Sequence, residues 1–136
     1  SNFNAPTTNT SATTVGITGG LSVSSSAFSV NSGIVEITIQ NRTTLSLSDT
    51  DAAGGGTLQI TDGITDGQVL IIILAASANS NVNNVAVSLA DGALGNGVTT
   101  YLNNAWDPQA NEIGSTLTLM WNATLGGWVE LNRSIN

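Results

Sequence analysis

The chain contains no cysteine, no histidine and no lysine. Without cysteine it has neither disulfides nor thiolate metal sites to hold its fold. Without histidine, cysteine or lysine it cannot build a Ser-His triad, a thiolate nucleophile, a Schiff base or a histidine-ligated hydrolytic metal. Only 8% of its 136 residues are charged, and Arg42 and Arg133 are its only basic side chains. Nine acids leave a formal net charge of −7. Nucleic-acid binding needs a basic footprint that displaces counterions, and this chain has none. Anionic membrane surfaces are excluded as partners by the same argument. The longest apolar run, Val69 to Ala76, is far too short to cross a bilayer, which takes about 20 residues. No stretch has the look of a secretory signal. Ser1-Asn2 reads as a remnant of an engineered junction, and the chain reads equally well as whole or as a piece of something longer.

What is abundant is serine, threonine, asparagine and glycine, set between short apolar stretches. From Val15 onward those stretches repeat every second residue, the period of a strand with one buried face. Val15/Ile17, Leu21/Val23, Phe28/Val30, Val35/Ile37/Ile39, Leu45/Leu47, Leu58/Ile60, Val85/Val87/Leu89 and Leu117/Leu119/Trp121 all follow it. Val98 to Leu102 is a weaker strand, and Trp128 to Leu131 closes the series. Asp62-Gly63, Asp66-Gly67, Asp91-Gly92 and Gly126-Gly127 are typical turn pairs between strands. The pattern predicts an all-β fold, an antiparallel β-sandwich of jelly-roll type with ten or eleven strands. Residues 1–14 are polar and aperiodic, a flexible arm or linker, and residues 15–136 form a single domain. Val69 to Ala76 is predicted as a central strand, buried on both faces or against sister chains. No repeat of fixed length runs through the chain, which argues against a β-helix. Trp121 and Trp128 bracket a six-residue loop with Gly-Gly, so a C-terminal hairpin with a cross-strand aromatic pair is expected.

That C-terminal block, STLTLMWNATLGGWVELNRSIN, resembles the end of phage tail-fibre and tail-needle knob domains. The resemblance is carried by Leu117, Leu119, Trp121, Gly127, Trp128, Glu130, Arg133 and Ser134. Upstream, Asp66-Gly67-Gln68-Val69-Leu70 resembles that group's turn into a central strand, and Leu45 to Asp51 its Leu-Ser-rich strand. The likeness covers about residues 45 to 136. It implies a homotrimer placed on the virion, outside the cell, used for fibre assembly and attachment to a host-surface glycan or protein. It implies a sandwich or jelly-roll fold, and with the composition it leads to the expectation of no enzymatic activity, no cofactor and no membrane insertion.

Several residues are candidates for chemistry. Carboxylate pairs remain as the one catalytic device, as in glycan hydrolases: Asp49 with Asp51, Asp62 with Asp66, or Asp107 with Glu112. Turn preference for Asp-Gly explains Asp62, Asp66 and Asp91 more simply. Asp49, Asp51, Asp62 and Asp66 are also candidate calcium ligands, since Ca²⁺ takes six to eight oxygens from carboxylates, amides and loop carbonyls. Trp106 lies among Tyr101, Asn103, Asn104, Asp107 and Gln109, a composition suited to stacking on a sugar and bonding its hydroxyls. The simpler role for Trp106 is core or interface packing. With two arginines against nine acids, each arginine is expected to have a carboxylate partner. The rivals to the virion module are a cell-surface adhesin or carbohydrate-binding module, a tail-associated glycan hydrolase, and a capsid decoration that touches no host molecule.

Overall fold

The computed structural model describes residues 18–23 and 25–136, and in them every regular element is a strand. There are ten: β1 (Ser26–Val30), β2 (Gly33–Ile37), β3 (Thr44–Asp49), β4 (Gly56–Ile60), β5 (Val69–Ser77), β6 (Val87–Ser88), β7 (Gly92–Ala93), β8 (Thr99–Tyr101), β9 (Thr116–Asn122) and β10 (Gly127–Ser134). The expected arm over residues 1–14, and the Val15/Ile17 pair, lie outside the described residues. Leu21 and Val23 are exposed and irregular, not a strand.

Two sheets form. One runs β1-β3-β5-β9-β10-β8-β7, the other β2-β4-β6. The chain passes from β1 across to β2, returns to β3 beside β1, crosses to β4 beside β2, and repeats with β5 and β6. The β1/β3, β3/β5, β2/β4 and β4/β6 pairs are all parallel, as in the turns of a β-solenoid. After β6 the coil stops. β9 lies antiparallel on β5, β10 antiparallel on β9, and β8 adds to β10 in parallel.

This corrects the antiparallel jelly-roll expectation and the argument against a coil. Alternation of apolar and polar side chains is identical in parallel and antiparallel strands, so it sets which face is buried and says nothing of direction. The missing repeat has an equally plain cause, because the turns of the coil differ in length. Ser26 stands beside Leu45, whereas Thr44 stands beside Ile71. Gly33 stands beside Gly56, whereas Gly56 stands beside Val87. The extra residues sit in loops, where insertion costs little. Coil stacking continues into those loops: Ala78 donates to Asp49 O at 2.8 Å and Ser80 to Ala52 O at 2.9 Å.

The inward faces of the two sheets share one core. Leu45, Leu47, Leu70, Ile72, Leu74, Leu117 and Leu119 come from the larger sheet, with Ile37, Leu58, Ile60 and Val87 opposite. Loop residues Leu89, Leu94, Val98 and Trp106 close it. At roughly 1.5–3 kcal/mol for each fully buried large apolar side chain, this cluster is the main force holding a chain without disulfides. Trp121 and Trp128 face each other across β9 and β10, edge to face, with centroids 5.4 Å apart. The expected aromatic pair is therefore present.

Candidate functional site

The loop that suggested a sugar platform is folded inward. Trp106 is fully buried. Its backbone exchanges two hydrogen bonds with Leu89, at 2.8 and 2.9 Å, and its ring belongs to the core. It cannot stack on a ligand, and the packing role is the one it takes. Its Nε1 donates to no group among the described residues. Of the other candidates, Asn103, Asn104 and Asp107 are exposed and Gln109 is half-buried. Tyr101 is on β8, turned to the opposite side of its strand from the buried Thr100 and Leu102, and its hydroxyl donates to Leu125 O at 3.3 Å.

An ion pair holds this loop in place. Arg133 Nε donates to Glu130 Oε1 at 2.6 Å and Arg133 Nη2 to Glu130 Oε2 at 2.8 Å. The same guanidinium donates to Ala105 O at 3.1 Å and to Asn104 O at 2.8 Å, while Asn103 N donates to Glu130 Oε2 at 2.7 Å. The hydrogen bond from Arg133 holds the Glu130 carboxyl below its ordinary value, against the opposing effect of burial and with help from Asn103 N. Arg133 is raised in turn, first by the bond to Glu130, with smaller contributions from Asp107 and Asp91. A β-bulge between Glu130 and Asn132 interrupts the register of β10 between the two partners. Arg133 thus has the carboxylate partner expected of it.

Arg42 does not. It donates to Thr38 O at 2.7 Å and its guanidinium lies 5.1 Å from the centroid of the Phe28 ring, with no ion pair among the described residues. A cation over an aromatic face supplies about 0.5–1 kcal/mol at an exposed site, in place of the expected carboxylate.

The carboxylates accept from backbone N–H and side-chain donors rather than meeting one another. Asp49 is buried and accepts from Asp51 N at 3.0 Å and from the Ser77 hydroxyl at 2.7 Å. Asp51 Oδ1 accepts from Ala53 N, Asp66 Oδ1 from Ala123 N, and Glu112 Oε2 from Gln109 N. Among the described residues no three acids lie together as a metal-holding group. Asp66 also borders an open hollow of about 310 Å³ with Asn41, Ile64, Thr65, Gly67 and Gln68. Gln68 braces that corner: its Nε2 donates to Gln40 O and Arg42 O, and its Oε1 accepts from Ile64 N. Gln40 itself has φ of 49°, a left-handed conformation uncommon outside glycine and asparagine. The sequence placed Gln68 in a turn leading into a central strand but gave it no bracing role.

The most distinctive surface is the outer face of the seven-stranded sheet. Val69 and Ile71 on β5 are more than a third exposed, and Ile73 is half-buried. Within the chain this strand, expected to be buried on both faces or against sister chains, is buried only on the side of Leu70, Ile72 and Leu74. Val69 is in register with Met120 on β9, Met120 with Val129 on β10, and Val129 with Tyr101 on β8. The neighbours of these four along their strands include the buried Leu70, Leu119, Trp121, Trp128, Thr100 and Leu102, so all four point outward together.

Comparison with protein-family models, with curated proteins and with solved structures returns no match to this chain.

Proposed function

We propose that the chain is a non-enzymatic virion module at the distal end of a trimeric tail fibre or needle, serving fibre trimerisation and host-surface attachment. The observation that carries this reading is the polarity of the coil. At one end, among the described residues, β1 pairs only with β3 and β2 only with β4, which leaves two five-residue strand edges open to a preceding element. At the other end the antiparallel β9–β10 hairpin terminates the parallel stack. Open edges recruit further strands, whereas a very short edge strand such as the two-residue β7 at the other end offers little to pair with. A β-shaft arriving from the N-terminal side would be continued by β1 and β2, and the larger sheet would finish on the two-residue β7. The resemblance of residues 45 to 136 to tail-fibre ends agrees with that order.

The same folding weakens the carbohydrate-module alternative, because Trp106, its platform, lies in the core. Attachment then rests on the exposed loops, each contact weak and multiplied by copy number. Light scattering should give a mass near three chains. The trimer should also bind bacterial envelope preparations saturably, and stripping surface glycan or protein from them should abolish binding. A chain that binds no envelope across a broad bacterial panel rules out the attachment role.

A further inference from the structure

We infer that the outer face of the seven-stranded sheet is the surface through which copies of this chain associate, with the row Val69–Met120–Val129–Tyr101 and the column Val69–Ile71–Ile73 at its centre. This rests on the trimeric reading above and gives it a location. The face is apolar where the row and column cross, and the outward positions around them are short and neutral: Ser46 and Ser48 on β3, Thr116 and Thr118 on β9. It is also flat. The Tyr101 ring lies down over Gly127, where a Cβ would come within 2.6 Å of it, so the largest side chain of the row does not stand proud.

Charge identifies the occupant as a second copy. None of the nine acids and neither arginine lies on this face. Glu36 is on the smaller sheet, Asp49 is buried toward the core, and Glu130 and Arg133 are engaged with the 103–105 loop. The remaining acids and Arg42 lie outside the strands. In a chain of net charge −7, copies meeting elsewhere would bring carboxylates together. Here two copies meet without opposed charge, whereas a basic partner would be drawn to the acidic loops instead. Five strands (β3, β5, β9, β10 and β8) at about 4.8 Å spacing, and about 20 Å of strand length, make a flat area on the order of 500 Å². Side-chain relief increases the accessible area beyond that, toward the roughly 800 Å² per partner of a standard stable interface.

Met120 is the single methionine of the chain, so its oxidation to the sulfoxide reports directly on whether the face is covered. Wild-type protein should scatter as a trimer with Met120 protected from dilute peroxide. Ile71→Glu should fall to the mass of one chain, keep its strand circular dichroism, and lose that protection. Ile71→Thr, uncharged and strand-compatible, should weaken the trimer without abolishing it. Ile34→Glu, at an exposed position on β2, should remain trimeric. A trimer that survives Ile71→Glu but is lost in Ile34→Glu overturns the assigned face and leaves the fibre reading standing. A monomeric wild type with Met120 reactive removes both the face and the trimer. A monomeric wild type with Met120 protected shows the face covered by another part of the same chain, which also overturns the inference. If Ile71→Glu dissociates but no form binds any envelope, the face stands and the attachment reading falls.

Discussion

Two tryptophans, equally buried, differ in one hydrogen bond, and that difference can be measured. Trp106 and Trp128 are both fully buried. Trp128 Nε1 donates to Thr61 O at 2.9 Å, whereas Trp106 Nε1 donates to nothing among the described residues. Replacing either by phenylalanine removes about 40 Å³, which at about 24 cal/mol per Å³ costs about 1 kcal/mol, with a comparable loss of transfer free energy. At Trp128 the substitution also strands the half-buried Thr61 carbonyl, adding about 1–3 kcal/mol for the lost partner. At Trp106 it removes an unpaired N–H whose burial costs about 1–3 kcal/mol, so that term has the opposite sign. Trp128→Phe should therefore cost about 3–5 kcal/mol and Trp106→Phe between about −1 and +1 kcal/mol. Urea denaturation followed by circular dichroism, at one protein concentration and with unchanged m-values, gives both numbers. If Trp106→Phe costs as much as Trp128→Phe, the reasoning fails.

Glu130, with its carboxyl lowered below 4.5 by Arg133, contributes stability that is complete above that value and is lost as pH falls through the folded value. Between pH 5 and pH 3 the wild type should therefore lose more stability than Glu130→Gln, as read from urea midpoints at each pH. Gly55→Ala would place a Cβ 2.5 Å from the Ala86 carbonyl oxygen, and should cost several times more than Gly54→Ala, where the space is open; thermal melts of the two compare them directly. Gln68→Ala removes three hydrogen bonds to the backbone of the 40–42 and 64 turns and should destabilise by about 2–3 kcal/mol in urea titrations.

Some of the candidate site was legible in the residues and some was not. The Glu130–Arg133 pair could be read from scarcity, since an arginine among nine acids finds one of them. Arg42 broke that logic because Phe28, fourteen positions earlier in sequence, reaches it only through the β1/β3 pairing. Trp106 was readable only by composition. Its neighbours Asn103, Asn104 and Asp107 are polar and exposed, and the ring turns away from them because Leu89, on another segment, pairs with its backbone. Gln68 was legible only as part of a turn; its bracing role was not, since its partners Gln40 and Arg42 belong to the adjacent turn of the coil.

The chain's residues alone determined that its regular elements would be strands and, for most of them, which of two alternating faces would be buried. They also determined that no histidine, cysteine or lysine chemistry would operate. These are local matters of side-chain period and residue type, settled within a few positions of each residue. Strand direction, the coil and the outward apolar row were decided only in three dimensions. Each depends on which distant segments pair: β5 with β3 on one side and β9 on the other, Val69 beside Met120 beside Val129 beside Tyr101. A period of two shows that each of those residues has a face but not what stands next to it, and it is the neighbours that turn four separate exposed side chains into one surface.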